Sequence, residues 1–115
     1  MTNLQRLKLE LSNKDYYTDG EYSLFLEENN LVATSDYNKE ENQIKLLETV
    51  IAVLETLSND VDLMRKIDSY NIVSIDQAIK YLTDRIADIN RKIVDLKQEK
   101  DEYISSNIRP IFFTR

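Results

Sequence analysis

Ser74-Ile75-Asp76-Gln77-Ala78-Ile79-Lys80-Tyr81-Leu82-Thr83-Asp84-Arg85-Ile86-Ala87-Asp88-Ile89-Asn90-Arg91-Lys92-Ile93-Val94-Asp95-Leu96 places apolar side chains at Ile75, Ile79, Leu82, Ile86, Ile89, Ile93 and Leu96. The spacings alternate four and three without a miss, the pattern of a helix with one continuous apolar seam. Ser74 followed three residues later by Gln77 is a capping box, so the helix is predicted to open there. Lys100 and Tyr103 continue the register more weakly. A seam this regular needs a helical partner, and the rest of the chain is read with that requirement in mind.

The best partner lies upstream. From about Lys39 to Leu57, Ile44, Leu47, Ile51 and Leu54 form one apolar track, and Leu46, Val50, Val53 and Leu57 form its neighbour. Two adjacent tracks make a stripe too wide for a surface helix, so this segment is predicted to be the central core helix. The seam residues Ile79, Leu82, Ile86, Ile89, Ile93 and Leu96 can pack against it as a hairpin, or against another copy. The hairpin is favoured because a chain of 115 residues can cover most of its own seam.

Two shorter helices precede the core helix. Thr2 can cap a segment with Leu4, Leu7 and Leu11 at helical spacing and Leu9 beside them. Thr18-Asp19-Gly20-Glu21 is a second capping box, and its acids suit the positive end of the helix dipole. That helix is predicted to turn Tyr22, Phe25 and Leu26 inward, with Leu24 a candidate to join them, and to stop near Asn29-Asn30. Leu31 to Asn38 is a link. After the Ser58-Asn59-Asp60 break, Val61, Leu63, Met64 and Ile67 suggest one or two further turns.

Composition agrees with helices. Gly20 and Pro110 are the only residues of their kinds, and sheets need more turn punctuation than that. The expected class is all-α, a bundle of four to five helices over residues 1–103, followed by an extended tail over 104–115. Pro110 is expected to forbid helix continuation, and Asn107 to favour a turn. Ile108, Ile111, Phe112 and Phe113 are apolar, flanked by Arg109 and Arg115, a composition unlike that of a solvated tail.

Histidine and cysteine are both absent. Without them there is no histidine base, no thiolate nucleophile, no disulfide and no conventional zinc set. No leader pattern or bilayer-length apolar run occurs, so a cytosolic protein is expected. The net charge of −6 argues against sequence-general DNA binding, which needs a dense basic face. Asp15, Asp19 and Glu21, and Asp60 with Asp62, lie where helix starts favour acids, and no calcium-loop motif surrounds them. Tyr16, Tyr17 and Tyr22 lack the interleaved cations of a single-strand binding surface and read as packing residues. Arg85, Arg91, Lys92 and Lys97 alternate with Asp84, Asp88, Asp95 and Glu99. Such a mixture serves a solvated face or partner selection equally well. No catalytic residue, cofactor or metal is expected.

The layout resembles the small helical head–tail connector (adaptor) proteins of tailed bacteriophages. The likeness is carried by Leu4-Gln5-Arg6-Leu7-Lys8-Leu9-Glu10-Leu11, by Tyr16-Tyr17-Thr18-Asp19-Gly20-Glu21-Tyr22 and by Phe25-Leu26-Glu27-Glu28-Asn29. Leu54-Glu55-Thr56-Leu57-Ser58-Asn59-Asp60-Val61-Asp62-Leu63-Met64 and Ile111-Phe112-Phe113-Thr114-Arg115 add to it. The resemblance implies a non-enzymatic homo-oligomer ring, commonly of twelve copies, between the portal protein and a downstream neck or tail protein. DNA would pass its channel without specific binding. The location implied is the virion neck, after synthesis in the host bacterial cytoplasm. It also implies that the C-terminal segment, Ile104 to Arg115 here, reaches the portal, with Ile108, Arg109, Pro110, Ile111, Phe112, Phe113 and Arg115 as its partner-binding residues. The alternative is a cytosolic regulatory module whose seam binds a partner helix.

Overall fold

The computed structural model describes residues 1–60 and 75–112, with Ile75 and 101–112 described by backbone alone. The expected turns around Val61, Leu63, Met64 and Ile67, and the cap at Ser74, lie outside the described residues. Among those described, the elements are α1 (Asn3–Glu10), α2 (Asp19–Glu28), α3 (Lys39–Ser58) and α4 (Ile75–Phe112). The fold is all-helical, with a long C-terminal helix.

Local chemistry sets each boundary. Thr2 and Gln5 form a reciprocal capping box at the start of α1, and Thr18 and Glu21 form another at the start of α2. Asn38 Oδ1 accepts from the amides of Glu40 and Glu41 and opens α3. The α1 C-terminus is closed tightly. Leu11 N donates to Leu7 O, Ser12 N to Leu9 O and Asn13 N to Lys8 O, while Ser12 and Asn13 adopt φ of 60° and 57°. Helix α2 ends at Asn29, and Asn30 takes the left-handed turn (φ 63°) that asparagine tolerates.

Helix α3 is the centre of the molecule. Leu46, Leu47, Val50, Val53, Leu54 and Leu57 are buried, as the double track requires. Helices α1 and α2 pack against each other and against α3, whereas α4 packs chiefly on α3. The α3–α4 pair is antiparallel: Leu54 lies near Tyr81 and Arg85, Ile51 near Ile93, and Lys39 and Ile44 near Leu96, Glu99 and Lys100.

The 31–38 link is tied to the N-terminus rather than left loose. Asn3 N donates to Ser35 O, Leu4 N to Ala33 O and Tyr37 N to Met1 O. The Arg6 guanidinium lies 5.6 Å from the centre of the Tyr37 ring. Asn3 is buried, and its Nδ2 donates to Val32 O at 2.8 Å. Its Oδ1 is buried with no hydrogen-bond partner among the described residues.

Three sequence expectations are corrected. Leu24 does not join the core but is 56% exposed, because Tyr22 and Leu26 fill the inward face of α2. Ile79 is 43% exposed although it belongs to the seam, and the fully buried Ala78 takes the core-facing place. The helical backbone continues through Pro110 to Phe112, where a stop near Tyr103 and an extended tail were expected. Residues 113–115, and with them Phe113 and Arg115, lie outside the described residues.

Candidate functional site

The seam of α4 is occupied within the chain. Leu82, Ile89 and Ile93 are buried, and Ile86 and Leu96 are half-buried against the same core. Of the six seam positions only Ile79 is exposed. A partner helix using this seam would have to displace α3.

The register of the hairpin matters more for interaction. Lys39, the first residue of α3, lies beside Glu99 and Lys100, so α3 has no residues left to pair with α4 beyond that point. The α4 backbone nevertheless continues to Phe112. A straight helix of 38 residues is about 57 Å long, close to the 60 Å longest dimension of the molecule. Ile108, Arg109, Pro110, Ile111 and Phe112 therefore sit on a helical extension past the start of α3.

The tyrosines are structural. Tyr22 is fully buried, and its hydroxyl accepts from the amides of Tyr16 (3.1 Å) and Tyr17 (3.4 Å) and donates to Lys14 O (2.9 Å). One phenol thus organises the whole link between α1 and α2. Tyr17 packs edge-on to Tyr22 at 6.1 Å and tilted on Phe25 at 5.6 Å. Burial pushes the Tyr16 phenol up to about 12, and it raises Tyr17 and Tyr22 as well.

Of the acids expected to serve helix starts, Asp19 and Glu21 stand in the first turn of α2, Asp15 lies in the link before it, and Asp62 lies outside the described residues. Glu21 accepts from the Thr18 amide, which holds its carboxyl below the usual range, and Asp19 pairs with Lys8 at 2.9 Å. No group of three or more His, Cys, Asp or Glu among the described residues is placed to hold a metal ion. None of the described helices is long and apolar enough to cross a membrane.

The charges on α4 divide. Lys80–Asp84 and Arg91–Asp88 are local pairs along the helix, while Lys97 approaches Glu48 of α3 at 3.9 Å. Arg85 does something the pattern did not reveal. Its Nη2 donates to the Glu10 carbonyl at 2.9 Å, satisfying a free carbonyl at the end of α1 from 75 residues away. That contact ties α4 to the end of α1, where Glu10, Leu11 and Tyr16 lie beside Tyr81 and Arg85. No periodicity signals it; an arginine on the edge of an apolar seam was the sole hint.

No family model matches the chain, and no curated protein or solved structure does either.

Proposed function

We propose that this chain is a structural virion assembly protein, a head–tail connector (adaptor) that forms a ring between the portal and the neck or tail proteins. It extends the DNA channel and carries out no catalysis. The observation that carries this reading is the α4 backbone running past the first residue of α3 to Phe112. A helical arm beyond a closed bundle is a means of docking, since helix-in-groove recognition uses a few apolar anchors on one helical face. Ile108, Ile111 and Phe112 are the apolar residues of that arm and Arg109 its cation, and the sequence continues with the further expected anchors Phe113 and Arg115. The mechanism differs from an extended tail in one respect: a preformed helix loses less conformational freedom on docking. Charge supports the channel role, because a net −6 chain does not hold DNA that passes it.

The test is truncation after Asn107. The shortened chain should keep its cooperative unfolding transition and fail to co-sediment with portal rings that bind the full chain. Unfolding of the truncated bundle, or undiminished portal binding, would overturn the proposal. The regulatory alternative needs the α4 seam free, and α3 covers that seam.

A further inference from the structure

Beyond the hairpin, the line of α4 that meets the core continues in the sequence. Ile93 is buried, and Ile104 and Ile111 follow it within about 20° of the same line at 3.6 residues per turn. Ile108 stands one turn from Ile104 on the same side. Among the described helices only α3 runs along α4, and it begins at Lys39, beside Glu99 and Lys100. From residue 101 to Phe112 the helical backbone therefore carries an apolar line that no described helix of its own chain follows.

The charges of this arm are sorted along its length. At its root stand Glu99, Asp101 and Glu102 with Lys100, and the first turn of α3 adds Glu40 and Glu41. No ion pair among the described residues engages Glu40, Glu41 or Glu99. After Glu102 the sequence holds no further Asp or Glu and two cations, Arg109 and Arg115. An acidic root and a basic tip match a second arm laid antiparallel and repel one laid parallel, as flanking charges do in paired helices.

We infer that free copies of this chain pair through their arms, antiparallel, about a two-fold axis near Ile108. Residues 101–115, overlapped in full, centre on that position, with Ile104 of one copy opposite Phe112 of the other and Asp101 opposite Arg115. Each tip then reaches the start of the other copy's α3, where Glu40 and Glu41 stand. The contact uses one patch twice, so it closes at two copies. It goes beyond the connector reading: the portal and a second arm use the same face, so portal docking must part the pair.

The chain has no cysteine, so one introduced at the exposed Val94 carries a single spin label. Antiparallel arms hold two such labels about 42 Å apart along the helices, whereas parallel arms bring them within about 10 Å. Sedimentation velocity up to roughly 1 mM, the range that detects weak contacts, should show a monomer–dimer equilibrium for the full chain, with the long distance in the dimer. Truncation after Asn107 and Ile111→Asp should each leave monomers that still unfold cooperatively. Arg115→Glu should weaken the dimer several-fold, and Asp101→Lys added to it should restore the affinity. A chain that stays monomeric, labels at the short distance, a dimer that survives truncation or an affinity indifferent to the charge reversals each overturns the inference. Portal co-sedimentation is read separately. A monomeric chain that still binds portal rings loses this inference alone, whereas a dimer that ignores them keeps it and loses the connector reading.

Discussion

Replacing Tyr22 by phenylalanine removes one oxygen atom from the interior and should cost about 2 kcal/mol, within the 1–3 kcal/mol expected when buried backbone groups lose their partner. The reasoning starts from three contacts. The hydroxyl accepts from Tyr16 N at 3.1 Å and donates to Lys14 O at 2.9 Å, both well-formed bonds, while the 3.4 Å contact from Tyr17 N is weak and adds little. The ring stays, so its burial and its edge-on contact with Tyr17 are retained and no cavity term enters. What is lost is the satisfaction of one amide and one carbonyl that water reaches poorly. With an unfolding entropy near 2.1 cal/mol/K per residue over 115 residues, the loss corresponds to a fall in Tm of about 8 °C. Urea unfolding followed by circular dichroism measures it, with an unchanged m-value showing that the bundle still unfolds as one unit. A loss below about 0.5 kcal/mol, the level of an ordinary surface substitution, would show that the 14–17 link does not depend on this hydroxyl.

Three further outcomes are expected. Ser12→Gly should raise stability by about 0.5–1 kcal/mol, because Ser12 holds φ at 60°, a region that favours glycine; an unchanged or lower urea midpoint would contradict it. Tyr16 is raised to about 12 from an ordinary 10, so the folded state holds its proton more tightly than the unfolded chain. Its stabilisation is therefore complete below pH 10 and is lost as the pH rises through 12. Urea midpoints should fall across that window, and Tyr16→Phe should flatten the fall. Arg85→Met keeps the aliphatic packing but drops the bond to the Glu10 carbonyl, and should cost about 1 kcal/mol. Amide exchange at the end of α1 should quicken with it, whereas uniform quickening across the chain would assign Arg85 a general role instead.

Much of the architecture was legible in the residues because helices advertise themselves locally. The capping box at Thr18 needs only its own next turn to form and stands where the spacing of Glu21 places it, and the cap expected at Thr2 is present, completed by Gln5 into a second box. The double apolar track of α3 likewise required burial on two sides, which α4 on one side and α1 with α2 on the other provide. The candidate interaction segment was legible as composition but not as conformation. Pro110 argues locally for a stop, because it removes a main-chain donor and crowds the preceding turn, yet the helical backbone passes it.

Read alone, the chain determined its class, its helix starts and which faces are apolar, because those depend on period and on neighbours three or four residues away. It left open whether the α4 seam meets α3 or another molecule, where Leu24 and Ile79 point, and which groups Arg85 and Tyr22 reach. Those are questions of register between elements far apart in sequence, and only the packing of α3 between its neighbours answers them. The same register determines how far α4 extends past its partner, and with it the segment proposed to do the docking.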